Sequence, residues 1–407
     1  MLPLSPDHTF DFELLRVLGS ARYAGADISE VLTVAATITP GDFESWYSGF
    51  HRLAERVKSN VSKDDISRYP ISVRDAMFRA STYFRAADFF LHGNADDPRI
   101  NTLWAEQLAC FDTAISLLPI PGQRVNIPAD GFVVPAILFR ASTDGKPRPT
   151  ILFCNGFDGA QEEMLHQNGL AALERGFHVV TYEGPGQPTV RREQKLGFIG
   201  EWERVVTPVV NYCETVPDID HRKLVLFGNS FGGFLVPRAA AFEPRIAAVV
   251  CVDGIYDVYQ GFSQGLPADI RAALDAGKIA ELQEKLPHML PHMPTSARWS
   301  IGQIQWSFML PAFEALETTR AMTMKGIAGQ IKCPVLVCEA EEDQFFKGQP
   351  EQLVKALGKR ATYVKFTTEG GAGNHCHVGA SVRMNQVVWG WVKDVFDGVP
   401  LPEALVV

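Results

Sequence analysis

The pattern of apolar and polar positions changes near residue 119. Before that point, apolar side chains recur at three- and four-residue steps, as they do at Phe43, Trp46, Tyr47, Phe50 and Leu53. This spacing places them on one face of a helix, and Asp42 stands where a helix N-cap is expected. The same period returns at 72–93 and 101–118. We therefore predict that residues 1–118 form a helical N-terminal domain.

Short apolar runs alternate with helical stretches after residue 119. The runs, each of a length suited to a single strand, lie at 132–140, 150–156, 177–182, 223–228 and 246–254. Nearly unbroken apolar strands separated by helices favour a mainly parallel sheet that is covered on both faces. The alternation stops between 257 and 330 and returns at 333–340 and 362–366. We predict an α/β domain built from 119–256 and 331–407, with 257–330 as a helical insertion.

One short stretch, LVLFGNSFGGF at 224–234, places a serine between glycines directly after an apolar run. Gly228, Ser230 and Gly232 fit the pattern G-x-S-x-G at the boundary between a strand and a helix. In that setting the pattern indicates a sharp turn that exposes a nucleophilic serine, because small neighbours prevent clashes between strand and helix. The alternative is a turn that only requires small residues. We interpret Ser230 as the candidate nucleophile.

A serine hydroxyl needs a base, and a serine in this kind of turn is followed along the chain by an acid and then by a histidine. The acid candidates lie at the end of the predicted strand at 333–340 or just past it. We select Asp343, because it lies shortly beyond the strand, where a loop could turn it towards the base. The rivals, which a solvated acidic turn would also explain, are Glu339, Glu341 and Glu342.

The glycine-rich stretch EGGAGNHCHVG at 369–379 follows the last predicted strand and offers two histidines, His375 and His377. We select His375 as the base, because the glycines before it give the loop its reach and because it precedes the final helix. His377 is the alternative. The chain order of serine, acid and histidine is then Ser230, Asp343 and His375.

The negative charge that develops on an attacked carbonyl requires N–H donors. We expect one from the backbone of Phe231, which follows the serine, and one from Phe157 in the turn NGFDG after the strand at 150–156. A second glycine-rich stretch, EGPGQP at 183–188, lacks the lysine and the spacing of a phosphate-binding loop. We interpret this stretch as a turn on the rim of the site.

Composition and charge narrow the classes of function. The formal net charge is -9 in 407 residues, which argues against binding to nucleic acid or to anionic membranes. No apolar run approaches the roughly 20 residues of a membrane span, and we expect no signal peptide. Seven scattered cysteines without a CxxC pair favour free thiols in a reducing compartment, so we expect a cytoplasmic protein.

A cluster of histidine and methionine in the insertion raises the question of a metal site. Its members are His288, Met289, His292 and Met293. No acidic partner is interleaved with them, so we interpret them as solvated or packing residues. We expect neither a metal nor a cofactor in this protein.

These motifs together resemble the α/β-hydrolase superfamily, and within it the branch that includes 2,6-dihydroxypseudooxynicotine hydrolase and the fungal polyketide-shortening hydrolases of pigment pathways. The similarity extends over most of the chain, through NGFDGAQEE, YEGPGQ, GNSFGG, FEPRIAA, EEDQF and GAGNHCHVG. It implies an α/β-hydrolase fold in which 1–118 is a cap domain and 257–330 a lid. It also matches Ser230 to the family nucleophile, Asp343 to the acid and His375 to the base.

The resemblance implies cleavage of C–C bonds flanked by ketones, or shortening of polyketide chains, without a cofactor. We therefore expect a serine hydrolase that cleaves a C–C, ester or thioester bond of a polyketide-like or β-diketone substrate through an acyl-enzyme. The alternative is an acyltransferase or cyclase that releases the same acyl group as an ester or lactone. A binding protein without catalysis is a third hypothesis, which the three filled positions argue against.

The expected partners follow from this interpretation. We expect a small-molecule substrate, which includes an acyl thioester on a carrier protein, and a homodimer, with no nucleic acid and no membrane as partners. Aromatic residues are frequent both in the N-terminal helices and in the insertion, for example Phe89 and Trp299. We expect these two parts to pack together with the substrate pocket between them, because small-molecule sites have apolar walls.

Overall fold

Helices make up the first part of the computed structural model, which describes residues 2–62 and 64–407. These cap helices are α1 (His8–Gly19), α2 (Ile28–Ala35), α3 (Phe43–Ser59), α4 (Asp65–Arg68), α5 (Pro70–Asp88) and α6 (Pro98–Ser116). The carboxylate of Asp42 accepts hydrogen bonds from the N–H groups of Glu44 and Ser45, so the predicted N-cap of α3 is confirmed.

A single sheet forms the centre of the molecule, and nine strands belong to it within the described residues. They are β1 (Gln123–Ala129), β2 (Phe132–Phe139), β3 (Arg148–Cys154), β4 (His178–Tyr182), β5 (Ile219–Asn229), β6 (Ala248–Val252), β7 (Val335–Ala340), β8 (Ala361–Phe366) and β9 (Ala404–Val406). Their order is β1-β2-β4-β3-β5-β6-β7-β8-β9. Among the strand pairings of this sheet that the structure describes, those of β2 with β1 and with β4 are antiparallel and the other six are parallel. The predicted α/β fold with a mainly parallel sheet is confirmed.

Helices cover both faces of this sheet. Those of the α/β part are α7 (Gln161–Met164), α8 (Leu170–Glu174), α9 (Glu203–Thr215), α10 (Gly232–Phe242), α16 (Gln349–Leu357) and α17 (Ser381–Asp397). The insertion at 257–330 holds α11 (Val258–Ser263), α12 (Ala268–Asp275), α13 (Ile279–Met289), α14 (Thr295–Phe308) and α15 (Ala312–Thr318). Between α7 and α8 the helical path of the chain continues through a π-turn at Leu165–Gly169.

Alternate residues of the central strand β5 serve two apolar cores. Leu224 and Leu226 pack into the core that includes α9 and α10, whereas Val225 and Phe227 pack into the core that includes α17. Successive side chains of a strand point to opposite faces, so a strand buried on both faces must be apolar throughout. Burial on both faces holds β5 in place. Because β5 pairs in parallel with both of its neighbours, the carboxyl ends of these strands lie at one edge of the sheet.

The cap helices contact the insertion through aromatic rings. Phe89, which directly follows α5, stacks on Trp299 of α14 with a ring separation of 5.3 Å. His92 stacks in the same way on Trp306 at 4.9 Å. The backbone of Gly93 lies against Gly302 of α14. The cap helices and the insertion thus pack together as expected, and the division of the chain into four domains remains a prediction.

Two further expectations concern the state of the cysteines and helices that could span a membrane. All seven cysteines fall within the described ranges and are free thiols, as expected. Among the helices that the structure describes, none combines the length with the apolar character that crossing a bilayer requires.

The contact between Gly302 and Gly93 gives a stability prediction with an internal control. A Cβ atom at Gly302 would lie 2.8 Å from the Cα atom of Gly93, whereas a Cβ at Gly390 in α17 would meet nothing within 4 Å. Alanine improves helix propensity by about 1 kcal/mol at either site. We expect Gly390→Ala to keep or raise the thermal midpoint, and Gly302→Ala to lower it through an overpacking cost of about 1–3 kcal/mol. Equal midpoints would contradict this account of the interface.

Candidate active site

Ser230 sits in a strained turn between β5 and α10. Its backbone φ is 57°, a left-handed value that few residues other than glycine adopt. A Cβ atom at Gly228 would lie 2.1 Å from the carbonyl oxygen of Gly232, so no larger side chain fits there. The Ser230 N–H donates to the carbonyl of Val252 at 3.1 Å, which ties the turn to the end of β6. The predicted sharp turn is therefore present.

The structure brings together the three residues that the sequence selected. His375 Nε2 lies 2.9 Å from Ser230 Oγ, and His375 Nδ1 lies 3.0 Å from Asp343 Oδ2. Carboxylate oxygens only accept hydrogen bonds, so Nδ1 carries the proton of the neutral ring and Nε2 accepts from the serine hydroxyl. His375 and Asp343 are each 6% exposed. The other oxygen of Asp343 accepts from the N–H groups of Phe345 and Phe346.

A fourth residue, Asp253, joins this contact, and the sequence analysis missed it. Its Oδ2 atom lies 2.9 Å from His375 Nδ1 and also accepts the N–H of Cys376. Asp253 directly follows β6 and is fully buried. The signal that could have revealed it is an acid at the end of a strand adjacent to the one that precedes Asp343, because parallel neighbours end at the same edge.

The rejected histidine and the rival acids lie elsewhere. His377 Nδ1 donates to the carbonyl of Ala372 at 3.0 Å, and the His377 ring packs on Phe366 at 3.9 Å. Glu339 accepts from the hydroxyl of Tyr363, and Glu341 accepts from the backbone of the chain after β8. Within the described ranges neither these two glutamates nor Glu342 hydrogen-bonds to the His375 ring.

The N–H groups of Phe157 and Phe231 lie in two backbone segments that meet at the serine. A Cβ atom on Gly156 would lie 2.7 Å from the Cβ of Ser230 and 3.0 Å from the Phe231 nitrogen. In the described part of the chain, neither the Phe157 nor the Phe231 N–H has a hydrogen-bond acceptor. Two free donors beside a nucleophile are what an oxyanion requires.

Two glutamine side chains hold the segment around Phe157 by its carbonyl groups. Gln187 donates to the carbonyl of Asn155 at 2.7 Å, and Gln303 of α14 donates to the carbonyl of Phe157 at 3.0 Å. Gln187 is fully buried, so the interpretation of EGPGQP as a turn on the rim was wrong. Sequence reasoning also missed Gln303, whose signal is a polar residue on the buried face of a helix.

Aromatic side chains from three parts of the molecule surround His375 and the segment around Phe157. Phe345 lies 4.8 Å from the His375 ring, and Phe12 of α1 lies 6.3 Å from it. Phe157 contacts Phe262 at 5.3 Å and Trp299 at 6.4 Å, both from the insertion. These rings, most of them partly buried, form an apolar enclosure on this side of the site, and apolar walls are typical of sites that bind small molecules.

Comparison with known proteins agrees with this geometry. Residues 151–386, more than half of the chain, match the alpha/beta hydrolase family. The chain belongs to this family. It is 30% identical to the hydrolase LUC6 of Fusarium sp., over 97% of this chain and 98% of that protein. It is also 30% identical to the 20-hydroxy-prefusarin hydrolase FUS2 of Gibberella moniliformis, over 95% of this chain and 96% of that one.

Solved structures show the same fold as this alpha/beta hydrolase. The 2,6-dihydroxy-pseudo-oxynicotine hydrolase superposes with a TM-score of 0.74 at 18% identity, over 95% of this chain and 98% of that chain. AbyA5 superposes with a TM-score of 0.63 at 16% identity, over 94% and 95%. At these identities the likeness concerns the fold alone, which extends through the cap helices as well as the sheet.

The surroundings of His375 and His377 shift their pKa values in opposite directions. Burial by itself would lower the pKa of His375, but the charges of Asp343 and Asp253 outweigh it and raise that pKa well above its ordinary value. Burial lowers the pKa of His377, so its ring stays neutral. Burial also raises the pKa of the Cys376 thiol to about 12, which keeps it protonated although its sulfur lies 3.3 Å from His375 Nε2.

One group of potential metal ligands occurs among the described residues. It consists of Asp253, His375 and Cys376, whose donor atoms lie within 4.8 Å of one another. The group shares His375 with the Ser230 contact, so a cation there would displace the hydrogen bonds of the imidazole. These residues fit the hydrogen-bonded arrangement better than a metal site, and the absence of a metal from the reaction stays a prediction.

The two histidines should titrate on opposite sides of the ordinary histidine pKa of about 6.5. We expect the pKa of His375 above this value, because two carboxylates stabilise its charged form, and the pKa of His377 below it, because burial disfavours charge. Histidine NMR titration, assigned with His375→Gln and His377→Gln, measures both. A His375 signal that titrates below 6.5 would contradict the arrangement described here.

Proposed function

We propose that this protein is a serine hydrolase in which Ser230 is the nucleophile, His375 the general base and Asp343 the acid that orients it. The observation that carries the proposal is the 2.9 Å contact of Ser230 Oγ with His375 Nε2 in a turn with φ of 57°. A strained backbone at a polar, largely buried contact is typical of a catalytic residue. The chain order of the three residues matches that of hydrolases with this turn.

The proposed reaction has two stages with one proton carrier. The hydroxyl proton of Ser230 passes to His375 Nε2 while Oγ bonds to the substrate carbonyl carbon, and the N–H groups of Phe157 and Phe231 stabilise the oxyanion. His375 then gives that proton to the leaving group, which is an alkoxide, a thiolate or an enolate. Water, deprotonated by His375, attacks the acyl-enzyme and frees Ser230 with the acid product.

We propose a polyketide-like or β-diketone substrate. The sequence motifs resemble the branch of hydrolases that act on such compounds, and the 30% identical relative FUS2 is named for hydrolysis of 20-hydroxy-prefusarin. The aromatic side chains of Phe12, Phe262, Phe345 and Trp299 suit a planar or long apolar acyl chain. An enolate leaving group also fits an enclosure that shields it from water.

The same enclosure favours one second candidate, an acyltransferase or cyclase. Where water is excluded, a hydroxyl of the substrate competes better for the acyl-enzyme, and the product is a lactone or an ester. Incubation with a hydroxylated acyl thioester and chromatography of the products distinguishes the two. Free acid supports the hydrolase, and lactone as the main product supports the cyclase.

The role of Ser230 is tested by replacing it. We expect Ser230→Ala to lower kcat by about 10⁶-fold and to abolish covalent labelling by a fluorophosphonate, because loss of a triad serine leaves little catalysis. Ser81→Ala is the matched control, since Ser81 is a buried serine whose hydroxyl donates to the carbonyl of Gln107, far along the chain from the turn at Ser230. Labelling of Ser230→Ala at the wild-type rate would refute the assignment.

A further inference from the structure

Two carboxylates contact the same nitrogen of His375. Asp253 Oδ2 lies 2.9 Å from Nδ1, and Asp343 Oδ2 lies 3.0 Å from it. The two acids follow β6 and β7, which are neighbouring parallel strands, so their loops converge at one edge of the sheet. The contact with Asp343 has the geometry of a hydrogen bond, and the contact with Asp253 is an ion pair of nearly the same length, so two acceptors lie within reach of one N–H. In a triad with a single acid, the second carboxylate has no assigned role.

A purely structural role for Asp253 leaves part of the observation unexplained. Asp253 Oδ2 also accepts the N–H of Cys376, which would suffice to hold the loop. Its other oxygen, Oδ1, is buried and has no partner among the described residues. Asp343, in contrast, satisfies its second oxygen with two backbone N–H groups. A buried, incompletely bonded carboxylate requires a positive charge nearby, and His375 supplies one when its ring takes up the serine proton.

The backbone on both sides of the contact is strained. Asp253 has a φ of 58° and Cys376 a φ of 53°, and both are left-handed values that non-glycine residues seldom adopt. Such strain persists where the surrounding contacts fix it and clusters at functional sites. The carbonyl of Val252, the residue before Asp253, accepts the Ser230 N–H. This hydrogen bond ties the backbone at Asp253 to the turn that carries the serine.

We propose that Asp253 is a second positioning residue for His375, sharing with Asp343 the tasks of fixing the tautomer and stabilising the imidazolium. The inference rests on the proposed function, because it assigns the partner of the same base. The N–H of Nδ1 divides between the two oxygens, and no proton leaves the imidazole towards either acid. Loss of one acid therefore leaves the other able to hold the ring.

The charged surroundings of His375 agree with this sharing. The titratable groups that face its ring are Asp253, Asp343 and Cys376, beside the hydroxyl of Ser230. Phe12 and two phenylalanines of the loop after β7 pack around the ring. Burial would raise the pKa of Asp253, but His375 and the hydrogen bond from the Cys376 N–H lower it. Asp253 is therefore ionised, and its negative charge favours the protonated form of His375.

The test is the rate at which a fluorophosphonate labels Ser230, measured against pH in Asp253→Asn, Asp343→Asn and the double variant. Removal of either charge lowers the pKa of His375, so we expect the acidic limb of each single variant to move to lower pH. Asp343→Asn should lose less than about 10²-fold in rate, whereas the double variant should lose at least about 10⁴-fold, as a triad does without its acid.

Two results would overturn the inference. One is an Asp253→Asn variant with unchanged rate and limb; the other is an Asp343→Asn variant that falls as far as the double variant. Glu339→Gln is the matched control, because Glu339 lies in β7 but bonds Tyr363, and its limb should not move. If Asp253→Asn does not fold, as circular dichroism would show, the rate of Asp343→Asn alone decides. Absence of labelling in the wild type would instead refute the proposed function, and this inference with it.

Discussion

The hydrogen bond between Ser230 and His375 depends on one constraint, that parallel strands end together. Ser230 follows β5, Asp253 follows β6 and Asp343 follows β7, and these three strands are consecutive neighbours in the sheet. The loop after β8 brings His375 back over the same edge. Because two apolar cores bury β5 on both faces, the strained turn at Ser230 stands on a rigid base. The alternation of strands and helices thus produces a parallel sheet, and the loops at its carboxyl edge hold polar groups within hydrogen-bonding distance of one another.

The cap helices and the insertion complete the site from outside the sheet. Phe12 reaches His375 from α1, and Gln303 reaches the carbonyl of Phe157 from α14. Gln303 also contacts His92, which bonds the buried pair of Asp88 and Arg192. The proposed oxyanion donor is therefore linked by hydrogen bonds to the interface between the cap and the insertion. A change of that interface would act on catalysis through the position of Phe157 as well as through the aromatic walls.

Local sequence patterns predicted most helices and strands and the turn between glycines. Helix periodicity, the apolar character of buried strands and the need for a small residue at Gly228 can all be recognised from residues that are close together in the sequence. Asp343 and His375 were also predictable, since each follows a recognisable strand. The short strands β1 and β9 were not predicted, because one carries Pro128 and the other has three exposed residues. Asp253 was missed because a lone acid before a glycine resembles an ordinary turn. Its meaning depends on a loop more than a hundred residues away, which no local pattern encodes.

The central claim, that the chemistry proceeds through an acyl group on Ser230, is tested most directly by mass spectrometry of the protein quenched during turnover of a β-diketone or acyl thioester. The account predicts a mass increase equal to the acyl group, located on the peptide that contains Ser230. It further predicts that the adduct decays as product appears. An adduct on Cys376, whose sulfur also lies near His375 Nε2, or turnover without any adduct on Ser230 in rapid-quench samples, would contradict it.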